Sequence, residues 1–143
     1  MDEVLEMLEK TVKRIQKTAE ETKEAVWKQT SIYEHLQQSA EATQEQKIKA
    51  FIKKTLELDR LERLNSQLSL LYSLQIFAFK VKVLEVSVEK INEQLMKSGV
   101  LQNNGEVEDI KKNIEALKIL IEAQYESMKE INDSQKRNLG YIH

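Results

Sequence analysis

Proline and cysteine are both missing from this 143-residue chain, and glycine occurs only three times. The lack of cysteine excludes a disulfide framework, a thiolate metal site and a cysteine nucleophile. Interior proline costs a helix about 3 kcal/mol and glycine about 1 kcal/mol, so their scarcity leaves little to interrupt long helices. Histidine is nearly absent as well. His143 is the last residue, and His35 has Ile32 three positions before it, which removes the Glu-x-x-His element of di-iron bundles. A zinc site needs several nitrogen or sulfur ligands, so no metal and no cofactor is expected. Charge of one sign is also lacking. With 24 acids against 22 bases the net charge is −2, which gives no strong global attraction to phosphate. No HExxH, glycine-rich phosphate loop, EF-hand loop or GxSxG element occurs, so an enzyme is not the expected reading. Met1-Asp2-Glu3-Val4 begins acidic and leads into no continuous apolar stretch. A secretory signal is therefore not expected, a cytoplasmic location is, and the sequon Asn132-Asp133-Ser134 carries little weight.

What is present is helix-forming sequence: Glu, Lys, Leu, Gln and Ala dominate. Apolar positions recur at alternating steps of three and four. The first series is Leu5, Leu8, Val12, Ile15, Ala19, Thr22, Val26, Gln29, Tyr33, Leu36 and Ala40, with Thr22 and Gln29 its polar members. The pattern lapses around 39–46, where Thr43-Gln44-Glu45-Gln46 has the form of a capping box. Ser31-Ile32-Tyr33-Glu34 has the same form and could instead break the first helix. The second helix carries Leu58, Leu61, Asn65, Leu68 and Tyr72, then two stripes. One is Phe77, Val81, Leu84, Val88, Ile91 and Leu95; the other is Ile76, Phe79, Val83 and Val86. At 100° per residue these lie well apart, which predicts two neighbours for that half. Phe79–Val83 alternates as an edge strand would, but its flanks favour helix. Gly99 suits a left-handed cap, and Asn103-Asn104-Gly105 marks a loop. The third series is Val107, Ile110, Ile114, Leu117, Ile121, Gln124, Met128 and Ile131. The expected helices are about 2–41, 44–97 and 106–136, joined across a loop at 98–105, all in a single domain over 1–143.

Short connections make sequential helices antiparallel. A first turn centred near Thr43 makes the numbers of facing residues add to about 87. Val26 then faces Leu61, Ala19 faces Leu68, Ile15 faces Tyr72, and Leu8 faces Phe79. Thr22 faces Asn65, a polar layer of the kind that fixes register. The expected fold is all-α: a three-helix bundle with coiled-coil character and a protruding two-helix arm. That arm holds Trp27, Ile32, Tyr33, Leu36, Phe51 and Ile52. A break near Asn65-Ser66 would instead give a compact four-helix bundle.

Trp27, Tyr33 and Phe51 are the candidate partner-binding residues, because tryptophan, tyrosine and arginine dominate interaction hot spots. The competing expectation for Trp27 is a place at the edge of the core. Trp27-Lys28-Gln29 lacks the glycine of a Trp-x-Gly hairpin turn. Lys10, Lys13, Arg14 and Lys17 form one basic stripe, a candidate phosphate contact whose plainer reading is a solvated face. Lys47, Lys53, Lys54, Arg60 and Arg63 make a looser basic run. Leu64–Phe79 is charge-free but shorter than the roughly 20 apolar residues of a membrane span, so buried core is expected there. The expected function is a helical protein–protein interaction module: an adaptor, chaperone-like binder or occluding inhibitor whose partner is another protein. A homodimer is expected, with a second copy capping the arm. Nucleic acid and membrane are not the expected partners. The alternatives are a signal-less secreted or membrane-active bundle and, third, a nucleic-acid-binding bundle.

Overall fold

A computed structural model describes residues 1–99 and 105–140, with side chains described through Lys129. The chain is all-α, with α1 at Asp2–Gln38, α2 at Gln44–Ser98 and α3 at Gly105–Gly140. Among the described residues there is no strand, and Phe79–Val83 lies within α2. α1 is continuous through Ser31, and α2 through Asn65-Ser66. The compact four-helix alternative needed that second break, and it does not occur.

The helix ends follow from local chemistry. α1 stops at Gln38, and Ala40, the last member of its series, lies beyond it and is exposed. At the start of α2, Gln46 N donates to Thr43 Oγ1 at 3.2 Å and Thr43 N donates to Gln46 Oε1 at 3.0 Å. This reciprocal pair satisfies two donors that the first turn would otherwise leave open. α2 ends at Gly99, whose φ of 68° is the left-handed conformation that side chains resist. Of the expected loop, 100–104 lies outside the described residues, as do His143 and the side chain of Ile131.

The chain divides into two compact units, Lys10–Leu70 and Met1–Glu9 with Leu71 onward. The first is a helical hairpin. α1 contributes Val12, Ile15, Ala19 and Thr22 to its core, and α2 contributes Ala50, Leu64, Gln67 and Leu68. Ala19 and Leu68, expected to face each other, are both buried, while Val26 and Leu61 are half-buried. Near the turn the Tyr33 ring stacks at a tilt on Phe51, 5.8 Å between centroids, and Lys54 Nζ sits 4.9 Å from the Tyr33 centroid. Residue 54 is the one the expected register sets against Tyr33. The expected Thr22–Asn65 layer is not there: Asn65 is exposed, and the buried polar residue of α2 in this unit is Gln67. Thr22 is satisfied within its own helix, its hydroxyl donating to the Thr18 carbonyl at 2.8 Å.

The second unit assembles parts of all three helices. Val4 and Leu8 of α1, Leu71, Leu74, Ala78, Val81 and Val88 of α2, and Ile114, Ile121 and Tyr125 of α3 are buried. Asp2 pairs with Lys82, which holds the Asp2 carboxyl below its ordinary 3.8. The Met1 amine lies 3.8 Å from Glu85 Oε2, and Lys118 Nζ donates to Glu85 Oε1 at 3.0 Å. Glu85 thus faces the Met1 amine just ahead of α1 and the Lys118 ammonium of α3. Lys118 also donates to Glu115 at 3.0 Å, and hydrogen bonding to Glu85, outweighing burial, holds its ammonium above the ordinary 10.5.

Two expectations about this unit are overturned. α3 buries Tyr125 in place of Gln124 and exposes Ile110. Val107, Ile114, Ile121 and Met128 stay in the seam at seven-residue steps, and Lys111, Lys118 and Tyr125 join them one residue on from Ile110, Leu117 and Gln124. α2 does meet two neighbours here, α1 and α3, but not through the two stripes expected to face them. The wall runs Leu71, Leu74, Ala78, Val81, Glu85, Val88, Asn92 and Leu95, every member buried or half-buried. Beside this wall Lys82 pairs with Asp2 of α1, and within it Glu85 pairs with Lys118 of α3. Phe79, expected opposite Leu8, is exposed, and Leu8 is enclosed without it.

Candidate interaction surfaces

The stripe expected to meet a second neighbour lies uncovered on α2. Ile76, Phe79, Val83 and Val86 are 59%, 60%, 49% and 39% exposed. Tyr72, also exposed, extends the line by one turn. The steps from Tyr72 are four, three, four and three, so the five side chains stay aligned over about 21 Å of helix. By helix geometry Phe79 points about 160° from Val81 at the centre of the buried wall. Phe77, Leu84 and Ile91 are exposed at seven-residue steps along one margin of that wall. The charge-free run from Leu64 to Phe79 is therefore only partly core. Its Leu64, Leu68, Leu71, Leu74 and Ala78 are buried, whereas Leu70, Tyr72, Ile76, Phe77 and Phe79 are exposed.

The polar residues beside this ridge on α2 are neutral or basic until Glu89. From Arg63 to Leu84 the chain contains no acid. Ser73, Gln75, Lys80 and Lys82 flank the ridge, and Lys90 continues its line one turn beyond Val86. Lys82 is committed to Asp2. Lys80 and Lys90 are exposed, and neither has an acidic partner among the described residues. Glu85 faces the wall, so Glu89 is the nearest acid beside the ridge's far end.

The residues singled out in the hairpin unit are only partly brought together. Tyr33 and Phe51 touch. Trp27 is 72% exposed and lies about 120° around α1 from Tyr33, so it is no core residue and belongs to a separate surface. Ile48 and Ile52 are exposed near Phe51 on the first turns of α2. Farther along, Leu58, Leu61, Glu62, Asn65, Ser66 and Ser69 line an open concavity of about 680 Å³ with no titratable group except Glu62. Lys10, Lys13, Arg14 and Lys17 are exposed as expected for a solvated face, but Lys10 and Lys13 are engaged by other groups. His35 is exposed on α1. Among the described residues no group of three or more histidines and carboxylates is placed to hold a metal ion, and no helix is long and apolar enough to cross a membrane.

Sequence reasoning found Tyr72, Ile76, Phe79, Val83 and Val86 as apolar positions but assigned the last four to a packed interface. The acid-free run of α2 from Arg63 to Leu84, with Lys80 and Lys82 in it, was legible in the sequence and distinguishes this face from an ordinary charged one. Comparison with known proteins finds no matching family model, no matching curated protein and no matching solved structure.

Proposed function

We propose that this chain is a non-enzymatic helical protein–protein interaction module, acting as an adaptor, chaperone-like binder or occluding inhibitor. One observation carries the reading: the heptad-spaced ridge Tyr72, Ile76, Phe79, Val83 and Val86 lies open along α2. Burying apolar area is worth about 25 cal/mol per Å², so an aligned row of large side chains has a strong drive to be covered. Trp27 offers a second anchor on the hairpin unit, of the residue type that dominates hot spots.

The test is affinity capture from the native source with the wild-type chain and with the triple variant Ile76→Gln, Phe79→Gln, Val83→Gln. Glutamine keeps helix propensity, so circular dichroism should stay unchanged. The wild type should retain a stoichiometric protein that the variant loses, and Trp27→Ala should weaken capture more than it lowers stability. Equal capture by wild type and triple variant overturns the reading. Leakage from liposomes, or salt-sensitive binding to arbitrary DNA, would move the function to the membrane-active or nucleic-acid alternative.

A further inference from the structure

We infer that the ridge on α2 docks one amphipathic helix of a protein partner, a helix whose apolar seam is bordered by glutamate or aspartate. The inference rests on the interaction reading and adds the chemistry of the occupant.

The occupant is a helix because of the spacing. Steps of four and three give a mean period of 3.5 residues, the period at which side chains of one helix fall into the gaps of another. The ridge spans about 80° of the α2 surface by helix geometry, and Ser73, Lys80 and Ser87 stand between it and the exposed Phe77, Leu84 and Ile91. A strict two-in-seven stripe is the seam of a coiled coil, whereas helices that lie on a bilayer surface carry a broader apolar face. The run from Tyr72 to Val86 covers about four turns, so three to four layers of a partner seam fit against it.

Charge selects the acid-bordered partner. Side chains beside a helical seam meet those beside the facing seam, so Lys80 would lie against the border of whatever docks, while Lys90, in line with the ridge, would meet the end of the docked helix. Both are without an acidic partner among the described residues, and no acid lies between Arg63 and Leu84 to offset Lys80, whereas Glu89 and Glu93 lie close to Lys90 in sequence. A second copy of the chain is a poor occupant for the same reason. Antiparallel self-pairing that sets Ile76 against Val86 and Phe79 against Val83 brings each Lys80 beside its own duplicate. Parallel self-pairing stacks Lys90 on Lys90 within the seam. Glutamates on a different helix remove that repulsion and give both lysines a partner.

The experiment uses the full chain and two synthetic three-heptad peptides. Both carry leucine at the seam positions; one is bordered by glutamate, the other by lysine. Binding is followed by amide chemical shifts and by titration at low salt, with phosphatidylserine-containing vesicles and sedimentation as parallel arms. The glutamate-bordered peptide should bind about tenfold more tightly, the size of two or three exposed helix ion pairs. Its shifts should map to 72–90 and vanish in the Ile76→Gln, Phe79→Gln, Val83→Gln variant. The Lys80→Glu, Lys90→Glu variant should reverse the preference between the peptides. Equal affinity for both peptides overturns the inference. So does association with vesicles in place of peptides, or a dimer that the ridge variant dissociates. If the ridge variant loses the native partner but the charge-reversed variant keeps it at full affinity, the interaction reading stands and the acid-bordered occupant is wrong. If neither variant changes capture, both are wrong.

Discussion

Gln67 has only 8% of its surface exposed, and neither its amide oxygen nor its amide nitrogen has a hydrogen-bond partner in the structure. A buried polar group without a partner costs about 1–3 kcal/mol, which an apolar side chain of similar size would avoid. Gln67→Leu should therefore raise the unfolding free energy by about 1–2 kcal/mol, read as a higher urea midpoint with an unchanged slope. A lower midpoint would show that the amide has a stabilising partner. Glu57 Oε2 and Asn92 Oδ1 are buried and unbonded as well, on the same helix. These residues explain one failure of sequence reading. A count of apolar positions passes over a seam that includes Glu57, Gln67, Glu85 and Asn92. It settled instead on Leu58, Asn65 and Tyr72, which are exposed. Thr43 and Gln46 were legible because their bonds span three residues and depend on nothing distant.

At the scale of elements, α2 owes its sharp start to that reciprocal cap. Thr43→Ala should cost about 1 kcal/mol in chemical denaturation, and Gln46→Ala made on top of it should add a further loss, because each side chain accepts from the other residue's backbone N–H, which the first substitution leaves in place. A double variant no less stable than Thr43→Ala alone would show that the two bonds form only as a pair. The order and type of all three helices were readable because no proline interrupts them and their ends carry local signals. The covered face of α2 was not readable. Val83 and Val88 do fall in different sectors, as the stripes require, yet only Val88 is buried. Periodicity reveals that residues share a line along a helix; it carries no information about whether a neighbour lies over that line. Choosing between the two stripes requires knowing where α1 and α3 pack, and that is decided by contacts between residues distant in sequence.

For the molecule as a whole, the oligomeric expectation attaches to the hairpin unit and not to the ridge. Ile48, Phe51 and Ile52 are exposed on the first turns of α2, where two helices alone have little core to offer them. The proposed cap is a second copy of the chain. Sedimentation should give twice the chain mass at micromolar concentration, and Ile48→Gln with Phe51→Gln should return it to the single-chain mass. A single-chain mass for the unaltered protein would remove the dimer. Separately, the row of side chains from Tyr72 to Val86 sets how the free chain behaves at high concentration. Acids and bases are almost balanced over the chain, so electrostatic repulsion between molecules is weak. Those five exposed side chains therefore add to the hairpin patch in setting how crowded free chains become before they adhere, and the Ile76→Gln, Phe79→Gln, Val83→Gln variant should stay dispersed at a higher concentration than the unaltered chain.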